Sequence, residues 1–186
     1  MQQPADLLTE FETQKTVYGS FFQRFVALFI DGLILSPLAF IDWYDKTVWK
    51  SQLILLLVFV IQVVYKSFFE FKYGATPGKM ALKLKVVRKD LFQPGLKEIL
   101  IRNIFDITFK IVTFVTTLTL FRTTEFLAVT SNAEYQSLYL NQKNVLWIVV
   151  AYLILLIIDG IFLIADKKNR ALHDLMGDTL VIKSRS

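Results

Sequence analysis

The sequence contains no cysteine and a single histidine among its 186 residues. The absence of cysteine excludes disulfide bonds, thiol catalysis and thiolate metal sites, and it leaves the redox compartment undetermined. One histidine is too few for the usual zinc sites, which combine several histidine and cysteine ligands. We therefore expect no resident metal and no bound cofactor.

The N-terminal stretch MQQPADLLTEFETQKTVYGS lacks the basic start and the small-residue cleavage site of a secretory signal peptide. We expect residues 1–19 to form a polar cytoplasmic segment. The first apolar segment is then expected to stay in the protein as a helix.

Motifs for catalysis are also missing. Asp174 follows His173, but no nucleophile, second histidine or glycine-rich elbow accompanies them, so a capping or packing role fits His173 better. The run GATPGKMA fails the phosphate-loop pattern, because only three residues separate Gly74 from Gly78 and Met80 stands where Ser or Thr is required. The sequence thus predicts a protein that is not an enzyme.

Apolar side chains are abundant: 54% of the residues are hydrophobic, 17 are phenylalanine, and the mean hydropathy is +0.49. They concentrate in four segments, at about residues 20–41, 49–69, 99–121 and 145–165. Each is near the ~20 residues that a helix needs to cross a hydrocarbon core of ~30 Å. The sequence therefore predicts an all-α membrane protein with a four-transmembrane-helix bundle, in one membrane domain over residues 20–186.

Basic residues outnumber acidic ones by 21 to 16, and their positions predict the orientation of the chain. Most of the lysine and arginine residues that decide the orientation lie in the cytoplasmic link at 70–98, just before it at Lys66, or in the tail at 166–186. They are Lys66, Lys72, Lys79, Lys83, Lys85, Arg88, Lys89, Lys97, Lys167, Lys168, Arg170, Lys183 and Arg185. The other two links hold only Lys46, Lys50, Arg122 and Lys143. We expect both termini in the cytoplasm of a bacterium, the protein in its inner membrane, and the lipid bilayer rather than nucleic acid as partner.

A change of pattern inside the 70–98 link predicts a small β-ribbon. ATPGK places Pro77 and Gly78 at the centre of a type II turn, since proline presets φ and glycine accepts a positive φ. LKLKV then alternates apolar and basic residues with the period of a half-buried strand. The expected partner is DTLVIK at 178–183, so the ribbon would join the link to the tail in a cytoplasmic layer.

Two similar strings, LFIDGLIL and LIIDGIFL, each place one aspartate, Asp31 or Asp159, inside an apolar segment. An ionised aspartate at the centre of a membrane helix costs roughly 2.5–3.5 kcal/mol, so it marks either a functional site or an ion pair. Arg24 shares a helix face with Asp31 but lies about 10 Å from it along the axis. By its depth, Arg24 is expected to meet Asp159 more easily.

The third segment carries charges as well. Arg102, Asp106 and Lys110 follow one another at intervals of four residues, which predicts a charged stripe along one helix face. Two interpretations remain open for all these charges. They form an ion or proton path, or they form buried ion pairs that fix which helix faces which.

Several strings together resemble the RDD family of small multi-helix membrane proteins: RFVALFIDGLIL, GATPGKMALKLKVV, IRNIFD and NRALHDLMGDTLVI. The resemblance spans residues 21–182 and identifies Arg24, Asp31 and Asp174 with the arginine and two aspartates that name the family. Arg102 resembles an arginine common at the start of the third helix. Lys83 departs from the pattern, because relatives usually carry a small residue there, often glycine. The remaining motif positions are Thr76, Pro77, Gly78, Lys79 and His173.

The resemblance implies a membrane function without fixing which one. Transport is the usual proposal for the family, sodium/proton antiport has been suggested for some members, and a eukaryotic relative looks like a scaffold in protein quality control. We expect a cation- or proton-coupled transporter or channel in which Asp31 binds a proton or a monovalent cation transiently. The alternative is a membrane scaffold or accessory subunit that recruits partners through the cytoplasmic layer. Four helices leave little room for a complete pathway, so we expect a homo-oligomer or a partner membrane protein.

Overall fold

The computed structural model describes residues 17–142 and 145–184. Most of the predicted polar segment, residues 1–16, lies outside the described residues. So do Lys143 and Arg185, which entered the orientation prediction.

Most of the described chain is helical. The elements in chain order are α1 (Phe21–Tyr44), a π-helix (Asp45–Trp49), α2 (Gln52–Tyr73), α3 (Pro77–Ala81), β1 (Leu84–Arg88), α4 (Leu96–Arg102), α5 (Ile104–Leu120), α6 (Thr124–Ala128), α7 (Asn132–Leu140), α8 (Val145–Ala165), α9 (Leu172–Met176) and β2 (Thr179–Lys183).

Three helical stretches in the described part of the chain are long and apolar enough to cross a membrane: Phe21–Trp49, Gln52–Tyr73 and Val145–Ala165. They confirm three of the four predicted spans. The third predicted segment, 99–121, is divided at Asn103 into α4 and α5, and α5 has 17 residues. At 1.5 Å per residue α5 is about 26 Å long, slightly less than the ~30 Å hydrocarbon core. That the segment spans the membrane stays a prediction.

The ribbon is confirmed. Strands β1 and β2 pair antiparallel, with Leu84 opposite Lys183 and Arg88 opposite Thr179. The other edge of β2 is bonded by the residues before α1, since Gly19 donates to the carbonyl of Val181 at 2.9 Å. Both ends of the described chain therefore meet at this sheet. We call residues 74–102 and 166–184, which surround it, the ribbon layer.

The predicted type II turn at Pro77 and Gly78 is wrong. Thr76 caps the short helix α3, and Pro77 is its first residue, a position where the missing proline N–H costs nothing. Gly78 does not have a positive φ. Its lack of a side chain serves close packing instead, because a Cβ there would lie 2.1 Å from the carbonyl oxygen of Ala27 in α1.

Lys83, where the family resemblance leads one to expect a small residue, precedes β1 with φ at 55°. This is the left-handed region that glycine adopts without steric cost. The backbone conformation thus explains in physical terms why a glycine would suit this position.

The opposite end of the bundle carries two short helices within residues 122–142. Helices α6 and α7 lie over it, and an apolar cluster joins them to the ends of α2 and α5: Leu55, Leu120, Phe121, Phe126, Val129 and Tyr135. Lys50 lies just before α2, and its ammonium donates to the carbonyls of Leu127 and Val129 at 2.6 and 2.8 Å. These two bonds attach the end of α6 to the start of α2.

The close approach of α3 to α1 gives a direct test of the packing. Gly78→Ala should lower the free energy of unfolding by about 3 kcal/mol, because the added methyl group overlaps a backbone carbonyl that cannot move alone. The measurement is thermal unfolding of the purified protein in detergent. Gly32→Ala in α1 is the matched control, since a Cβ there has no neighbour within 4 Å. Equal unfolding temperatures for the two variants would contradict the packing described.

Candidate functional site

A chain of buried charges joins the helix bundle to the ribbon layer. Its members are three cations and three carboxylates: Arg24, Lys79, Arg102, Glu70, Asp159 and Asp174. We call these six residues, with His173, the junction network. Each carboxylate comes from a different helix, so the network holds several elements at once.

Asp174 lies at the centre of the network with no solvent exposure. It is the third residue of α9, and its Oδ2 accepts the N–H of Ala171 at 3.2 Å, which satisfies a free donor at the helix start. Arg24 of α1 donates to the same oxygen, and Arg102 of α4 lies 2.8 Å from Oδ1. Burial alone would raise the pKa of Asp174, but Arg102, His173 and Arg24 hold that pKa well below its usual range.

Arg102 carries the network to the end of α2. Its Nε lies 3.2 Å from Glu70, and its Nη1 donates to the hydroxyl of Thr179 at 2.9 Å. Lys79 donates to the other oxygen of Glu70, which is fully buried. Burial lowers the pKa of Lys79 to about 8 against the opposing effect of Glu70, so the ammonium stays charged at neutral pH.

Asp159 connects α8 to α9 through His173. Its carboxylate accepts the backbone N–H of His173 at 3.0 Å and lies 2.8 Å from the ring Nδ1. Because burial lowers the pKa of His173, the ring is neutral at pH 7, and Nδ1 carries the proton that Asp159 accepts. Nε2 lies 3.4 Å from Arg102 Nη2 and 3.3 Å from Asp174 Oδ1, which brings the ring to the centre of the network.

These contacts correct the predicted partner of Arg24. Arg24 pairs with Asp174 in the tail, and its Nη2 also donates to the carbonyl of Asn169 at 2.5 Å. Asp159 is paired with His173 instead. His173 is the second residue of α9, whose C-cap is Gly177, and its capping or packing role stays a prediction.

Asp31 is held by three donors where α3 meets α1. Its carboxylate accepts from the hydroxyl of Tyr65 at 2.9 Å, the hydroxyl of Thr76 at 2.6 Å and the N–H of Gly78 at 2.8 Å. These three donors give the buried carboxylate hydrogen-bond partners without a cation. The family motif residues Thr76, Pro77 and Gly78 therefore act here by positioning α3 against Asp31.

The stripe predicted on the third segment, Arg102 with Asp106 and Lys110, does not consist of these three residues. The break at Asn103 removes Arg102 from the helix of Asp106, so Arg102 joins the junction network. Five polar positions, one at the N-cap of α5 and four within it, are spaced three and four residues apart on one face: Asn103, Asp106, Lys110, Thr113 and Thr117. Asn103 donates to Glu70 at 3.2 Å, which connects this stripe to the network.

A cavity of about 300 Å³ lies beside the stripe, between α5, α2, α8 and the end of α1. Its polar lining consists of Asp42, Lys46, Gln62, Asp106, Lys110, Thr113, Thr117 and Tyr152. Lys110 pairs with Asp106 at 2.8 Å, and Lys46 pairs with Asp42 at 2.5 Å. The hydroxyl oxygen of Thr113 is buried and has no hydrogen-bond partner among the described residues.

Sequence reasoning missed Glu70, Tyr65 and Gln62. Glu70 had a signal, since it is the only acidic residue of α2 and stands among aromatic residues near the helix end. Tyr65 and Gln62 had none, because an isolated polar residue in an apolar helix does not show which neighbour it faces.

The fold and the junction network define a helical integral membrane protein whose bundle is tied by buried ion pairs to a small sheet. The chain belongs to the RDD family, a family of membrane proteins, whose model matches residues 18–178. The match includes every residue of the junction network. Neither the curated proteins nor the solved structures gave a match.

Replacing Asp174 should be far more damaging than replacing an exposed aspartate nearby. Asp174→Asn should lower the free energy of unfolding by about 3–5 kcal/mol, because it leaves Arg24 without its carboxylate partner and Arg102 with Glu70 as its remaining one. The matched control is Asp178→Asn, which alters an exposed pair with Lys89 and should cost less than about 1 kcal/mol. Denaturant unfolding in detergent measures both. Similar losses for the two variants would show that the network contributes little.

Acid should remove the contribution of the Asp174 carboxylate to the free energy of unfolding. Its pKa in the folded protein is below the ordinary value of 3.8, so the unfolded state binds the proton first. The stabilisation is therefore complete above about pH 4 and is lost as the pH falls through the lower, folded value. Unfolding measured from pH 6 to pH 3 should show a steep loss at the acidic end in the wild type and a shallower one in Asp174→Asn. Parallel curves would contradict this assignment.

Proposed function

We propose that the protein moves a monovalent cation or a proton across the membrane through the cavity beside α5. Asp106 is the carboxylate that binds the transported ion in this proposal. The polar residues at 113 and 117 continue its path along the same helix face.

The proposal rests on one observation: polar and charged side chains line part of a cavity between apolar helices. Charged side chains among apolar membrane helices are costly, so charges that line a cavity between such helices favour a pathway over simple packing. The cavity volume of about 300 Å³ corresponds to about ten water molecules at ~30 Å³ each. A cavity of this size has room for the water that a moving ion needs.

The choice between Asp106 and Asp31 follows from their partners. Asp31 already accepts three hydrogen bonds and does not line the cavity, whereas Asp106 lines it and has Lys110 as its ion-pair partner. A carboxylate that a proton and a cation can both reach provides exchange of one for the other. In this proposal Asp31 keeps the role of positioning α3.

The setting of the proposal is a bacterial inner membrane with the ribbon layer in the cytoplasm. The excess of lysine and arginine in the 70–98 link and the tail supports this orientation. We propose that the pathway is completed in a homo-oligomer or with a partner membrane protein, because one short bundle has few helices for two alternating gates.

A scaffold or accessory subunit is the second candidate. A groove of about 260 Å³ in the ribbon layer favours it, with a lining that combines apolar and basic side chains: Tyr73, Ala75, Met80, Lys83, Leu84, Lys85 and Ser184. Such a groove would suit an acidic peptide segment of a partner protein. Copurification of one partner that is lost on Met80→Glu would favour this function over transport.

Ion flux in proteoliposomes tests the transport proposal. Asp106→Asn should reduce flux of sodium or protons at least tenfold, because the amide cannot carry the charge that holds the ion, while the unfolding temperature stays near that of the wild type. Asp31→Asn should lower the unfolding temperature more than it lowers the flux of the folded fraction. Asp90→Asn, an exposed position in the ribbon layer, is the control. Absence of flux in the wild type under any imposed gradient would overturn the proposal.

A further inference from the structure

The ammonium group of Lys110 is held by two oxygen atoms, one from the carboxylate of Asp106 and one from the backbone of α2. Its Nζ lies 2.8 Å from Asp106 Oδ2 and donates at 3.0 Å to the backbone carbonyl of Gln62 in α2. Both side chains of the ion pair are about one quarter exposed, at 24% and 26%, and both line the cavity. Lys110 can therefore leave this position by rotating its flexible stem into the cavity.

The groups that Lys110 would release form a set of oxygen ligands. They are a carboxylate from Asp106 and a peptide carbonyl from Gln62, both bonded to the same ammonium group at the wall of the cavity. Carbonyl and carboxylate oxygens replace the hydration shell of alkali cations in membrane proteins. No thiolate or imidazole lines this cavity among the described residues, so the ligand set favours a hard cation.

We propose that Lys110 is a tethered competitor for a monovalent alkali cation at this oxygen site. The lysine ammonium and the cation bind the same carboxylate in turn, so the site stays compensated whether or not an ion is bound. The role of this competition in transport rests on the proposed function. Cation binding at the site can be measured whether or not the protein carries a flux. Lys110 thereby sets the affinity of the site and keeps it low enough for release.

The matched comparison lies within the same cavity. Lys46 pairs with Asp42 at the same spacing of four residues and lines the same space. A general effect of removing positive charge from the cavity would appear equally in Lys46→Met and Lys110→Met. Competition at Asp106 would appear only in Lys110→Met.

The experiment measures thermal unfolding of the purified protein in detergent as sodium chloride replaces choline chloride at constant ionic strength. Lys110→Met should lower the sodium concentration for half-maximal stabilisation at least tenfold relative to the wild type. Lys46→Met should leave it within twofold. Asp106→Asn and the double variant with Lys110→Met should show no stabilisation beyond that given by choline.

A Lys110→Met variant that binds sodium no more tightly than the wild type would overturn the inference, as would an equal gain in Lys46→Met. If Lys110→Met does not fold, Lys110→Gln replaces it in the same titration with the same expectation. Sodium binding strengthened in Lys110→Met without flux in any variant would refute the proposed transport and leave the site standing. Flux in the wild type without tighter binding in Lys110→Met would refute this inference alone.

Discussion

The structure depends on the burial of one carboxylate, Asp174, between two guanidinium groups. An ionised carboxylate without solvent exposure is stable only when opposite charges and hydrogen bonds replace its water. Arg24 and Arg102 provide these charges from α1 and α4, and the start of α9 provides a backbone donor. The tail of the chain is therefore tied both to its first helix and to α4.

The charges of the protein divide into two groups with different surroundings. Those of the junction network are mostly buried, and its central members Glu70, Arg102 and Asp174 each have more than one charged partner, so a change of protonation there costs stability. The pairs of Lys110 with Asp106 and of Lys46 with Asp42 are partly exposed to a cavity and each has a single opposite charge. Removing a charge of this second kind is therefore expected to cost less stability than removing Asp174.

The spans and the ribbon could be predicted from the sequence because each follows from a local pattern. Apolar length predicts a membrane helix, and a period of two predicts a half-buried strand. The break at Asn103 was not predicted, and it moved Arg102 from the α5 stripe to the network. The partner of Arg24 was missed for another reason: the choice between Asp159 and Asp174 depends on how the tail returns to the bundle, which no local pattern contains. The family resemblance identified Asp174 but not its contacts.

The absence of cysteine makes the central claim directly testable, because a single introduced thiol is the only reactive one in the chain. Gln62 lines the cavity, and its neighbour Ile61 is about half exposed on the outer surface of α2, where lipid would cover it. A thiol reacts as the thiolate, which forms in water and not in hydrocarbon. In native membranes a charged thiosulfonate should therefore label Gln62→Cys much faster than Ile61→Cys. Equal and slow labelling of both would show that the cavity is dry, and would contradict a polar pathway through this bundle.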